Sequence, residues 1–599
     1  MYSAGPMNTP ITELSNETTV DIDQCDSTEI VRLLRQCDAD IFSGWRNYPS
    51  LYDADTLHSL ENLGKRVQAV LEDPLDSCVV FSGCGTSGRI GFSLSKRFNS
   101  LAKEQGMDEH RSSGPYEYLI AGGDLALFTS VEAPEDSWRQ GQIDLMNLAK
   151  EKKQVVYIGI TCGLSAPYIA GQLDFCMDRP DTFTPVLIGF NPIDLARKSP
   201  IQDWSKTFFD VANRLRSHKT AIILNPIVGP EAITGSSRMK GGSTTKILLE
   251  TALLNAHYRS YYPGHSPSTT TILSHYKEVH RHTYLQIKEM SSALSLAGKS
   301  LSLNGHIYYL GWGPTSFIAL VDASECVPTF SASFDDVRAF VDGGFEYLKN
   351  RDGVLEFKGS KLKISLHEFA NTVLPSVSEN DTVIAICSSP KYLKQADELL
   401  RQVSLKGAKL IGITSKTDGP SDGADFEECF DVSIRIHDGK CKANANGCFV
   451  ESSQVLEDVF KECLEELSLK WLLNAISTGA HVLHGKVLKG YMIDLKVSND
   501  KLFYRAAGIV SNITGVTKQE AMNALLKAIY RKDVIPEEIR KVATSSHVFE
   551  GERQDKVVPL AVLLATGKFN VESGLKTLQE KKVSQVLKQL GLLFEDFQR

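Results

Sequence analysis

Three stretches of the sequence gather glycines and hydroxyls where a bound anion would need them. The first is Gly83-Cys84-Gly85-Thr86-Ser87-Gly88-Arg89. It follows a short apolar run and opens an amphipathic one, the pattern of strand, tight turn and helix. Backbone N–H groups at such a helix start, together with its positive end, favour a phosphate, and Thr86 and Ser87 add hydroxyl donors. The spacing is neither GxGxxG nor GxxxxGK[ST], so a dinucleotide and a nucleoside triphosphate are both disfavoured. The second stretch, Thr161-Cys162-Gly163-Leu164-Ser165-Ala166-Pro167, also ends a strand-like run, with Pro167 suited to a first helical turn. The third runs from Gly229 to Ser243, with Ser236 and Ser237 at the start of a helix expected over 236–258. Together they fit a phosphate monoester; taken singly, each also reads as an ordinary cap or tight turn.

Charged residues of the right kind lie elsewhere. Glu132, Glu135 and Asp136 follow the strand-like run ending at Gly123-Asp124, and Glu325 sits in apolar surroundings. Such a carboxylate either accepts sugar hydroxyls or acts as an acid or base, and a helix-terminal charge is the plain alternative. Lys486 offers a compact cation for phosphate or hydroxyls, or else a solvated helix lysine. His280 and His282 flank Arg281 without a matching set of carboxylates or thiols, so no metal site is expected. Neither GxSxG nor HExxH occurs.

The elements that must position these residues form a repeated plan. Strand-like runs at 77–82, 118–124, 155–160, 185–190 and 221–224 alternate with helical stretches. A second series at 306–310, 381–387 and 409–414 enters turns of the same kind, Gly311-Trp312-Gly313-Pro314-Thr315-Ser316 among them. Short buried strands alternating with helices predict an α/β fold with doubly wound parallel sheets, and a plan found twice predicts two such domains. In an open α/β sheet the ligand lies at the carboxyl ends of the strands, where these loops fall. Helical periodicity at 29–45 and 55–72 precedes the first domain, and 452–485, 517–532 and 573–590 follow the second. The expected divisions are an N-terminal arm and helix at 1–45, a first domain carrying the site at 46–285, a second at 286–499 and an all-α cap at 500–599. Residues 1–30 read as a polar arm.

Composition bounds the rest. The 599 residues carry 65 Lys+Arg against 73 Asp+Glu, a formal net charge of −8. That balance disfavours a nucleic-acid binder or a polybasic membrane surface. No run approaches a membrane span, and the first residues lack the apolar core of a secretory signal. Twelve scattered cysteines with no CxxC read as free thiols in a reducing compartment.

The strings GTSGRIG, IAGGD, EAPED, GPEAITGSSRMKGGSTTK, ISTGAHVLHGKVLKGYMIDL and SNDKL resemble the bacterial N-acetylmuramic acid 6-phosphate etherases. The twofold plan resembles SIS (sugar isomerase) domains, which bind phosphosugars. Over nearly its full length, including IVRLLRQCDADIF, ITCGLSAP and STGAHVL, the chain resembles the vertebrate glucokinase regulatory protein family. The etherases carry a catalytic glutamate just beyond their GTSGRLG, and counting from Thr86 places Arg97 there. A guanidinium cannot act as a carboxylate base. The resemblance to the regulators therefore implies a protein without catalysis. It would bind fructose 6-phosphate or fructose 1-phosphate and inhibit glucokinase by direct association, in nucleus and cytoplasm, as a monomer with a pseudo-dimeric SIS pair. The alternative is an active phosphosugar isomerase or lyase. Carried over by the resemblance, Gly85, Thr86, Ser87, Thr161, Cys162, Gly163, Ser236 and Ser237 would hold the phosphosugar, with Glu135, Glu325 and Lys486 on the sugar. Residues 178–183 and 438–448 are candidate partner contacts.

Overall fold

The computed structural model describes residues 9–107, 114–415, 429–437 and 454–592. The candidate partner contact at 438–448 lies outside these residues. Two five-stranded parallel sheets organise the chain. In the first, β1 (Ser77–Gly83), β2 (Tyr116–Ile120), β3 (Gln154–Ile160), β4 (Phe183–Ile188) and β5 (Ile222–Leu224) lie in the order β2-β1-β3-β4-β5. In the second, β6 (Ile307–Trp312), β7 (Val337–Val341), β8 (Thr382–Cys387), β9 (Lys409–Ser415) and β10 (Val432–Ile436) lie in the order β10-β9-β8-β6-β7. Written from the opposite edge, the second order repeats the first. The sequence signals had missed β7 and β10.

The strands read as unbroken apolar runs because both faces are covered. Along β1, Val79 and Phe81 face one core while Cys78 and Val80 face another. The outer face of the first sheet packs beneath the helices Trp138–Leu148, Pro167–Met177 and Phe208–Arg216. The inner faces of both sheets share one core with the helices between them. The central members of this layer are Lys240–Tyr261, Ile287–Ser302 and the thirty-residue Gln454–Leu483. Lys240–Tyr261 and Gln454–Leu483 are buried nearly all round and show no polar stripe, whereas Ile287–Ser302 keeps one exposed stripe through Lys288, Ser292, Ser295 and Lys299.

After a two-residue hairpin pairing Val487–Leu488 with Tyr491–Met492, the chain becomes helical from Asp500 to Gln589. The stretch expected as one helix over 573–590 is two, Val571–Glu580 and Val583–Gln589, separated at Lys581 and Lys582. At the other end the polar arm is anchored. Ile11 and Ile22 are buried, Asn16 donates to the Pro230 carbonyl, and Thr19 donates to that of Ala232. Among the described residues no helix is long and apolar enough to cross a membrane, no group of side chains could hold a metal ion, and all ten cysteines are unpaired.

Candidate functional site

The turns after β1 and β3 meet at the carboxyl edge of the first sheet. Cys84 and Ser87 come from the first, and Thr161, Cys162, Gly163 and Ser165 from the second, and all line one cleft. Gly235 and Ser237 close a third side. The helix expected from residue 236 begins instead at Lys240, so Ser236 and Ser237 occupy the turn before it. The first two backbone N–H groups of that helix, at Lys240 and Gly241, donate to Glu231 at 2.8 Å each. The third stretch therefore carries its own internal anion. Burial raises the Glu231 carboxyl to about 7.

The cap and the arm supply the rest. Asn499 caps the helix Asp500–Thr514 by accepting from the Leu502 N–H at 2.8 Å. Lys501 and Arg505, four residues apart on that helix, point together into the cleft. Lys501 Nζ donates to both oxygens of Glu135, at 2.9 and 3.0 Å. Desolvation lowers its pKa, but Glu135 and Glu132 together outweigh that and hold the ammonium above its usual range. Arg505 clasps Glu13 of the arm with two donors, Nε at 2.8 Å and Nη2 at 2.6 Å. Its closeness requires a glycine at 235, where φ is +78° and a Cβ would lie 2.6 Å from the guanidinium. Thr12 completes the wall, exchanging hydrogen bonds of 3.1 and 3.0 Å with Asn191, which also donates to the Gly163 carbonyl.

Of the residues expected at the site, Ser87, Glu135, Thr161, Cys162, Gly163 and Ser237 line this cleft. Gly85 and Thr86 belong to the same turn, and Ser236 adjoins Ser237. The hydroxyls of Thr86 and Ser236 are buried with no partner among the described residues, a donor state suited to a ligand that the protein alone does not satisfy. Burial raises the Cys162 thiol to about 11, so it lines the cleft as a neutral group. Glu325 reaches the Gly85 turn from the second domain: a Cβ at Gly85 would lie 3.4 Å from its Oε1, and Arg89 holds it in an ion pair. Lys486 stands apart, paired with Asp494 at 2.7 Å beside the hairpin. The cations of the cleft are Lys501 and Arg505, which sequence reading passed over although Lys501 lies within the SNDKL string.

Arg97 is also elsewhere, and this corrects the reading built on it. Its offset from Gly85 is 97 − 85 = 12, and that of Glu325 from Gly313 is 325 − 313 = 12. The two residues are counterparts in the repeated domains, and each crosses to the other domain's side. Glu325 meets the first domain's turn. Arg97 instead pairs with Glu462 and Glu466 of the long second-domain helix, in a separate cleft with Pro314 and Phe317. The side chain that reaches the first domain's Gly85 turn is therefore a carboxylate. At the second turn the Tyr392 ring packs within 2.4 Å of where a Gly313 Cβ would stand, and Pro314 replaces a hydroxyl residue.

Buried polar groups fix the two domains against each other. Arg238, next to Ser237, donates to Asp322 at 2.7 Å and to Thr478 at 2.7 Å. Asp322 also accepts from Tyr309, Asn474 and Ser477, and it lies one turn before Glu325 on the helix Phe317–Phe330. Lys470 Nζ donates to the carbonyls of Arg238 and Met239 and to Ser243 Oγ. Desolvation lowers its pKa to about 8.

Comparison with known proteins matches this architecture in three parts. Residues 62–177 match the glucokinase regulatory protein N-terminal SIS domain, 284–484 its second SIS domain, and 489–587 its C-terminal lid domain. The chain is 40% identical over 562 residues to the glucokinase regulatory protein of Xenopus laevis, covering 92% of this chain and 88% of that one. It is 39% identical over 564 residues to that of Homo sapiens, with the same coverage. Similarity to N-acetylmuramic acid 6-phosphate etherase 1 of Bacillus licheniformis is 31% over 245 residues, 40% of this chain and 70% of that protein. The chain belongs to the glucokinase regulatory protein family.

Proposed function

We propose that this chain is a phosphosugar-responsive inhibitor of glucokinase. It would bind fructose 6-phosphate or fructose 1-phosphate in the first-domain cleft and form a direct complex with the enzyme, thereby controlling its activity and location. The carrying observation is the convergence of Ser87, Thr161, Ser237, Lys501 and Arg505 on one cleft, in a chain whose relatives are named as regulators. Hydroxyls and backbone N–H groups suit the phosphate oxygens, and the two cations complement the charge. The cap contributes those cations, so a bound ester alters the cap's contacts with the first domain, and two esters that do so differently shift the chain between states of different affinity for glucokinase. We place it in cytoplasm and nucleus as a monomer whose SIS pair mimics a dimer.

Purified chain added to a glucokinase assay tests this. Inhibition that deepens with fructose 6-phosphate and is relieved by fructose 1-phosphate is the expected result. Absence of any inhibition or complex under every condition refutes it. A second reading, a phosphosugar isomerase or lyase, draws on Glu325 standing at the Gly85 turn and Glu135 lining the cleft. Both carboxylates are engaged, Glu325 by Arg89 and Glu135 by Lys501, so neither is held as a free base. NMR of fructose 6-phosphate or muramic acid 6-phosphate incubated with the protein would reveal turnover, which E135Q should abolish if this reading is right.

A further inference from the structure

The candidate cleft is narrow. Its volume is about 60 Å³, whereas small-molecule pockets run to about 300–1,000 Å³. Two ion pairs span it, and each joins one of the cap's cations to a carboxylate on another element. The Glu135–Lys501 pair joins cap to first domain, and the Glu13–Arg505 pair joins cap to arm. Counted together, Glu13, Glu135, Lys501 and Arg505 are neutral, so these four side chains offer no surplus positive charge for a phosphate. The Arg505 guanidinium is the better phosphate ligand of the two cations because its planar fork binds two oxygens at once. That fork is already filled by both oxygens of Glu13.

We propose that Glu13 is an internal stand-in for the phosphate, and that a phosphate monoester enters by displacing the Glu13 carboxylate from Arg505. The proposal rests on the phosphosugar reading of the cleft and goes beyond it in assigning the arm a role in the site. Displacement releases one point of attachment of the segment Ile11–Glu13, which is otherwise held by Thr12 on Asn191. Asn191 in turn holds the Gly163 carbonyl of the second phosphate loop. The ligand therefore changes both ends of a short chain of contacts, from the cap through the arm to the β3 loop. A carboxylate in the fork also makes anion affinity depend on the arm, which lines the cleft through Thr12 as well.

Calorimetric titration of the full chain and of E13Q with fructose 1-phosphate, fructose 6-phosphate and inorganic phosphate tests the exchange. Glutamine keeps the shape and leaves the fork without its counter-charge, so E13Q should bind each probe about tenfold more tightly. In the unaltered chain, hydrogen exchange over 11–19 should rise when the ester saturates. Unchanged or weaker binding by E13Q, where the unaltered chain binds, overturns the proposal. If the unaltered chain binds no probe, the phosphosugar reading fails; a gain of phosphate binding in E13Q would then still support the stand-in, and its absence would overturn that as well. Circular dichroism melting of E13Q guards against loss of fold: a variant that melts early is replaced by E13A with the same outcomes.

Discussion

At the scale of single residues, the cleft rests on two cations whose roles are separable from their neighbours'. Replacing Lys501 by glutamine removes one charge-assisted contact to the ligand, a loss of about 1.5–3 kcal/mol, on the order of 10- to 100-fold in affinity. The same change at Lys486, paired with Asp494 away from the cleft, should leave affinity within twofold; titration calorimetry of both variants makes the comparison. Asp136 gives a pH signature. Burial raises its carboxyl to about 6 although it accepts the Asp500 N–H of the cap at 3.0 Å. A folded-state pKa above the unfolded value means that ionisation costs stability, and the cost grows as pH rises from the unfolded pKa through 6. D136N should therefore be more stable than the parent above about pH 6, by on the order of 2 kcal/mol, with the advantage vanishing by pH 4. Thermal melts across that range check the sign. Ser87, Thr161 and Ser237 were legible because three glycine- and hydroxyl-rich turns recur before helices, although each alone also reads as a cap. Lys501 was not, because a lysine in the first turn of a helix after an Asn cap reads as an ordinary solvated charge, and only the fold turns it toward the cleft. Glu13 was hidden in a short polar arm without periodicity.

At the scale of elements, the helix Thr86–Glu104 is tied to the long helix Gln454–Leu483 by charge. Arg97 pairs with Glu462 and Glu466, while Lys246 pairs with Glu466 and Glu250, and all but Glu462 of these side chains are buried. Removing one partner of such a network strands the others, so R97L should cost about 3–5 kcal/mol in denaturant unfolding. Ligand affinity of the folded fraction should hold, since Arg97 lies in a different cleft from Lys501. Loss of affinity without loss of stability would contradict that placement. The strands of both sheets could be read from sequence because burial on two faces makes them continuous apolar runs. β7 and β10 were missed: Arg338 interrupts one and Arg435 the other, both partly exposed. The crossing of Glu325 and Arg97 was beyond linear reading. Two residues at the same offset in two repeats each reach across to the other domain, a relation that depends on how the domains pack and not on local sequence.

At the scale of the whole molecule, the two repeats have diverged in the side chains around their glycine turns. The first turn keeps Thr86 and Ser87, a neighbouring Glu325 and cations from the cap. The second has Pro314, the Tyr392 ring and Arg97 locked to two glutamates. A single phosphosugar per chain is therefore expected, and the stoichiometry of any titration should be one. The most direct test is a crystal structure of the chain soaked with fructose 1-phosphate. The account predicts the phosphate at Ser87, Thr86 and the Thr161–Gly163 loop, within reach of Lys501 and Arg505, with the second turn empty. Phosphosugar at the Gly313 turn beside Arg97, or none at either turn from a soak that saturates binding in solution, would contradict it.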